Sequence, residues 1–151
     1  MAKWLLKSEP SDYSIDDLAQ DEITVWNGIR NFQARNFIKE KMRVDDSILF
    51  YHSSCKLTGV VGIAKVVSEA YADPAQFDEK SQYYDKKSQQ ENPKWFVIDV
   101  KFERKATAIF LLKEMKTSPE LEDLLLFKQS RLSVLPVTDK QWHFIVSKIN
   151  S

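Results

Sequence analysis

The stretch "GVVGIAKVV", Gly59 to Val67, constrains the fold of this chain more than any other. It is apolar on both faces, and it holds two of the only three glycines in the sequence. A strand with no polar face has to be covered on both sides, as a central strand is. Glycine inside such a strand marks a bulge, a sharp bend or a close approach of another backbone. A sheet that is central and sharply curved suits a small closed barrel, and that is the expectation here.

The flanking segments agree with it. "SILFYHS" (Ser47 to Ser53) is a second strand. "WFVIDVKFER" (Trp95 to Arg104) alternates, with Phe96, Ile98, Val100 and Phe102 inward and Asp99, Lys101 and Glu103 outward, so one of its faces is wet. "KWLLKS" (Lys3 to Ser8) is a first strand ended by Pro10, and "ITVW" is a short one broken by Gly28. "RLSVLPV" is extended, since Pro136 biases Leu135 away from helix.

Helices fill the gaps. Ser14, with Asp17 three residues on, caps a short helix through Ala19. A second is expected from Arg30 to Met42, with Ala34, Phe37, Ile38 and Met42 as its apolar stripe. "IFLLKEM" carries a helical signal. So does "SPELEDLLL", where Ser118 caps, Pro119 takes the first position and Leu121, Leu124 and Leu125 form the stripe. A capping box from Thr138 to Gln141 opens the last helix, which buries Trp142, Ile145, Val146 and Ile149. Residues Asp73 to Pro93 form a polar excursion with one helical turn at "PAQF". The order is mixed α+β with five or six strands.

The 151 residues, 43% of them hydrophobic, are enough for one domain, residues 1–151, and too few for two. The 22 basic and 22 acidic side chains cancel, so no overall field recruits nucleic acid or an anionic membrane, and any such contact is local. The layout is uneven, however. Glu9 to Glu22 holds six carboxylates and no Lys or Arg, while Arg30 to Arg43 holds five basic residues against Glu40 alone. These are either solvated faces of opposite sign or, on the basic side, a rim for a few phosphates. One cysteine forms no internal disulfide, the first residues lack the apolar core of a signal peptide, and no apolar run nears the ~20 residues needed to cross a bilayer. A soluble monomer is expected, cytoplasmic in a bacterium or nuclear in a eukaryote, with no membrane partner.

No Gly-rich phosphate loop occurs, and two histidines with one cysteine nearly exclude a metal centre, so no cofactor is expected. His52 and Cys55 are the one candidate nucleophile pair, but no third, orienting group is identifiable. His143, between Trp142 and Phe144, is structural or exposed.

What remains is a cluster of aromatic and amide groups around "GIRNFQARNF" (Gly28 to Phe37). On a helical wheel centred on Ala34, Arg30 lies about 40° to one side, Asn31 about 60° to the other and Arg35 about 100° away. Arg30 and Asn31 therefore turn inward, either to stitch the fold or to line a cavity. Trp26, Phe50, Tyr51, His52 and Ser53 supply aromatic faces and hydroxyls, and "KSEP" and "RLS" add small hydroxyls beside charges. A nucleobase asks for an aromatic face to stack on and amides for its edge, and arginines near a helix start suit a phosphate.

The strings "WLLKSEPSDYSIDDL", "VWNGIRNFQARNF", "ILFYHSSCKLTGVVGIAKVVSEAYADPAQFD", "YYDKKSQQENPKWFVIDVKF" and "RLSVLPVT" resemble, in order and spacing, the EVE domain family, from Trp4 to Trp142. The resemblance implies a PUA-like fold, a small mixed β-barrel flanked by helices, related to the PUA and YTH modules that bind RNA. It implies a reader of modified bases, in DNA carrying 5-methylcytosine and its oxidised forms for some members and in modified RNA for others, with no catalytic residue set. Carried over by position, the pocket takes Trp26, Asn27 and Gly28, then Arg30, Asn31, Gln33 and Asn36, then Phe50, Tyr51, His52 and Ser53. Lys7, Ser8, Glu9, Arg131 and Ser133 close it. Many members have an acid where this chain has Asn27, and a Tyr where it has Phe32. Trp26 or Phe50 is then expected to stack, Asn31 and Ser8 to meet the base edge, and Arg30, Arg35 and Lys56 to hold phosphates. Two other readings stand beside it. One is a small enzyme using His52 and Cys55 on a nucleotide or acyl substrate. The other is a protein-interaction module presenting the acidic Glu9 to Glu22 face.

Overall fold

The computed structural model of the chain describes residues 1–150. Seven strands occur among the described residues: β1 (Lys3–Ser8), β2 (Ile23–Trp26), β3 (Ser47–His52), β4 (Gly59–Val66), β5 (Tyr71–Ala72), β6 (Phe96–Leu111) and β7 (Val134–Val137). Their hydrogen-bonded order is β2-β6-β4-β3-β1-β7, with β5 also on β6. Only β1 and β3 run parallel. β4 is central, as its two apolar faces require, and Val60, Ala64 and Val66 are wholly buried.

The glycines of β4 do what glycine in a central strand implies. Register shifts flank Gly62 in its pairing with β6, and another lies between Phe50 and Tyr51 opposite it on β3. A Cβ on Gly62 would stand 2.7 Å from Ile15 Cδ1 and 2.8 Å from the Arg104 carbonyl oxygen. The bare backbone thus lets the helix carrying Ile15 sit directly on the sheet.

The curved sheet does not close into the expected barrel: β2 and β7 are the two ends of an open path. Each is four residues long, and Pro136 in β7 has no N–H to offer a further strand, which suits an edge.

The helices are α1 (Ile15–Asp21), α2 (Phe32–Asn36), α3 (Leu112–Lys116), α4 (Leu125–Lys128) and α5 (Asp139–Ile149). Both expected capping boxes form, Ser14 with Asp17 and Thr138 with Gln141. Three expectations need correction. The helix assigned to Arg30–Met42 starts at Phe32 and widens to π geometry over Phe37–Lys41. The helical signal at "IFLLKEM" is half wrong, because β6 continues through Leu111, where Phe110 and Leu111 pair with Val60 and Gly59. "SPELEDLLL" splits into a 3-10 turn at Pro119–Leu121 and the separate α4, and Ser118 makes no side-chain cap. Its leucines are still packed, Leu121 and Leu124 completely.

Candidate functional site

A cleft of about 730 Å³ opens where β1 and β2 end. Lys7 and Ser8 close β1, Ser11 to Tyr13 lead into α1, Thr24 to Trp26 form β2, Asn27 and Ile29 follow it, and Gln82 and Tyr83 come from the excursion. Trp26 is the aromatic centre, 8% exposed and held edge-on against Phe50 and Tyr13, with centroids at 5.5 and 6.4 Å. Phe50 is fully buried beneath it, so it orients the indole and does not itself face the cleft.

The polar groups fall into two sets. Ser8 Oγ donates to the Tyr13 carbonyl at 2.5 Å, and the Tyr13 hydroxyl donates to Asp21 at 2.8 Å. Burial, reinforced by Asp21, pushes the Tyr13 phenol up, so it stays a neutral donor. These groups hold the wall. Among the described residues the side chains of Asn27, Gln82 and Asp12 have no hydrogen-bond partner, which leaves two amides and a carboxylate at the cleft for a ligand edge.

The residues that the wheel turned inward are committed elsewhere. The Arg30 guanidinium pairs with Asp73 at 3.0 Å, donates twice to the Tyr83 carbonyl at 2.7 and 3.2 Å, and lies over the Tyr83 and Trp95 rings. Asp73 is 1% exposed and also accepts from the Gly28 amide. Arg30 therefore fixes Tyr83 as a cleft wall. Gly28 allows the contact: its φ is +78°, and a Cβ there would lie 2.7 Å from the Tyr83 ring. Asn31 is the N-cap of α2, its side-chain oxygen accepting from the Ala34 amide at 3.0 Å. Arg35 donates to the Lys94 carbonyl and the Asn36 side chain. Arg30, Asn31, Gln33, Arg35 and Asn36 thus do not line the cleft.

His52 also serves the frame. Its Nε2 accepts from the Ile15 amide at 3.0 Å, tying the end of β3 to the start of α1. Burial holds its pKa below 6.5, with Asp16 pulling up and Lys105 pulling down. Cys55 Sγ approaches Thr58 Oγ1 at 3.9 Å, and His52 and Cys55 do not meet as a nucleophile and its base. Glu9, Lys56 and Arg131 are exposed and outside the cleft, and Ser133 contributes its carbonyl to the Lys7 amide.

Sequence reasoning missed Ser11, Asp12, Tyr13, Thr24, Val25, Ile29, Gln82 and Tyr83. Gln82 and Tyr83 lie in a polar stretch without periodicity, and their partner Arg30 is 53 residues from Tyr83. The organiser of that stretch is Gln76, wholly buried in the one helical turn of the excursion. Its amide nitrogen donates to the Asp73 and Trp95 carbonyls, and its oxygen accepts from Ser88 Oγ and the Lys94 and Trp95 amides.

Comparison with known proteins adds four likenesses. A family model described as "EVE domain" matches residues 2–148. Thymocyte nuclear protein 1 of Gallus gallus is 43% identical over 95% of this chain and 67% of its own length. The structure of human THYN1 protein in complex with 5-methylcytosine containing DNA superposes with a TM-score of 0.93 at 36% identity, covering 100% of this chain and 99% of that one. A protein from Pseudomonas syringae gives 0.92 at 43% identity over 97% and 99%.

Proposed function

The chain belongs to the EVE domain family, and on that premise we propose that it is a non-enzymatic nucleic-acid-binding module whose cleft takes one extruded, modified base. The observation that carries this reading is the meeting of Trp26 with the unpaired amides of Asn27 and Gln82 in one cleft. That cleft falls within the ~300–1,000 Å³ of small-molecule sites. The related human protein bound to 5-methylcytosine containing DNA supports modified cytosine as the first base to try.

The chemistry can be followed group by group. Extrusion costs a few kcal/mol, and stacking on an aromatic ring returns roughly 1–3 kcal/mol. Trp26, rimmed by Tyr13 and Tyr83, provides that surface. The Watson–Crick edge of cytosine offers an amino donor and two acceptors. Asp12 accepts from the amino group, and the Asn27 and Gln82 amides donate to the ring nitrogen and the carbonyl. Val25 and Ile29 give a 5-methyl group an apolar neighbour. Removing one such carbon from water is worth about 0.8 kcal/mol, about fourfold in affinity. Arg30, Phe50 and His52 act as positioning residues behind these groups, while the exposed Asn31 caps α2. The protein performs no bond-making step in this reading.

The test is fluorescence anisotropy at low salt with single-stranded oligonucleotides carrying one cytosine or one 5-methylcytosine. A preference of about fourfold or more for the methylated strand is expected, and it should vanish in Trp26→Ala. Equal affinity of the two strands for the wild type, repeated with hydroxymethylated DNA and methylated RNA, overturns the reading.

A further inference from the structure

A second, smaller cavity of about 260 Å³ adjoins the cleft, and Lys7 lines both. Its wall includes Lys116 from the end of α3 with Ser53, Ser54 and Ser130, and an apolar side of Leu112, Leu126 and Phe127. No carboxylate lines it, although the chain has as many acidic as basic residues. Lys116 has no ion pair or hydrogen bond among the described residues. Lys7 Nζ donates only to the Ser130 carbonyl at 2.8 Å, and burial pulls its pKa down. The hydroxyls of the three serines likewise have no hydrogen-bond partner among the described residues. Two lysines and three serines on one cavity wall, unbalanced by any acid, suit a compact anion with several acceptor oxygens. The volume is below the ~300–1,000 Å³ typical of whole small-molecule sites, which favours a phosphate group over a second base.

We infer that this cavity holds a backbone phosphate flanking the extruded nucleotide, with Lys7, which lines both cavities, and Lys116 as its cationic partners. The inference rests on the nucleic-acid reading of the main cleft, and it sets where the strand leaves it. A strand entering the cleft at Trp26 passes its next phosphate over Lys7, so the base and phosphate sites are read together.

The experiment uses the full chain and single strands with one 5-methylcytosine, in which each flanking phosphate in turn is replaced by a neutral methylphosphonate. Lys116 is exposed and makes no contact that the fold uses, so Lys116→Met and Lys116→Arg both fold. Lys116→Met should weaken binding of methylated and plain strands by the same factor, about 3- to 10-fold. It should also lower the slope of log affinity against log salt by about 0.7, the value for one lost contact on a single strand. Lys116→Arg restores both. At one flanking position the methylphosphonate should weaken the wild type but cost Lys116→Met nothing further. Unchanged salt dependence in Lys116→Met, independent losses at every flanking position, or no binding of any strand overturns the inference. Titration with inorganic phosphate, followed on the amide resonances of Ser53 and Ser54, separates the sources. Shifts there without methylphosphonate coupling identify a free-phosphate site and overturn the assignment to the strand. Coupling without a methyl preference keeps the phosphate site while the base reading falls.

Discussion

Gln76 shows how one side chain can hold a wall that has no strand or long helix of its own. All of its hydrogen-bonding capacity is used in the interior, by two carbonyls, two amides and a hydroxyl. Replacing it with Leu leaves the Trp95 amide and the Ser88 hydroxyl without an acceptor, at about 1–3 kcal/mol each, while the Asp73 and Trp95 carbonyls keep backbone donors and the Lys94 amide keeps Ser88 Oγ. Relaxation of the segment limits the total, and urea unfolding of Gln76→Leu should show a loss of roughly 3 kcal/mol with the m-value unchanged. None of this was legible beforehand, because "PAQF" announces a turn but not which backbone groups will surround it. Arg30 is the instructive case. The wheel turned it inward correctly, but the helix begins two residues later than the periodicity implied, so Arg30 lies outside it. Its direction is set by Asp73, 43 residues away. Trp26, Asn27, Lys7 and Ser8 were legible because they sit at strand ends, where local sequence already says that the chain is turning.

Among the elements, α1 is joined to the sheet by an imidazole. Its first amide, that of Ile15, donates to His52 Nε2, and only neutral imidazole can accept. The folded state holds the His52 pKa below its ordinary 6.5, chiefly through burial. The unfolded chain therefore binds the proton more readily, so this contribution to stability is complete above about pH 6.5 and is lost as the pH falls toward the depressed folded value. Thermal unfolding between pH 7.5 and 5.5 should show a steeper fall in Tm for the wild type than for His52→Gln, whose side-chain oxygen accepts at every pH. A parallel decline in the two proteins would show that the Ile15 bond plays no part. Capping boxes were readable at this scale because both partners lie within three residues. The "IFL" strand was not, since a short apolar run fits either period and its partners, Val60 and Gly59, decide between them.

Across the whole molecule, the cleft is made of two bodies of different construction: a curved sheet with its covering helices, and the excursion from Asp73 to Pro93. The family resemblance and the two-faced β4 made the sheet readable. Closure into a barrel was not readable, because it depends on how the two end strands meet in space. The excursion is bound to the rest through the Asp73–Arg30 pair, the Gln76 hub and the short β5. Charged hydrogen bonds of the Arg30 kind are worth about 1.5–3 kcal/mol each. Hydrogen exchange should therefore show local opening of residues 73–95 eased by roughly 2–3 kcal/mol in Arg30→Ala. The β3 and β4 amides should keep their protection, and uniform loss over the whole chain would contradict this division. The excursion thus resembles an interchangeable jaw on a fixed handle. Its tip can be altered at Gln82, whose side chain makes no hydrogen bond among the described residues, so long as Arg30, Asp73, Gln76 and the Tyr83 ring are kept, and on the proposed reading the choice of base is retuned by transplanting some twenty contiguous residues without redesigning the sheet that carries them.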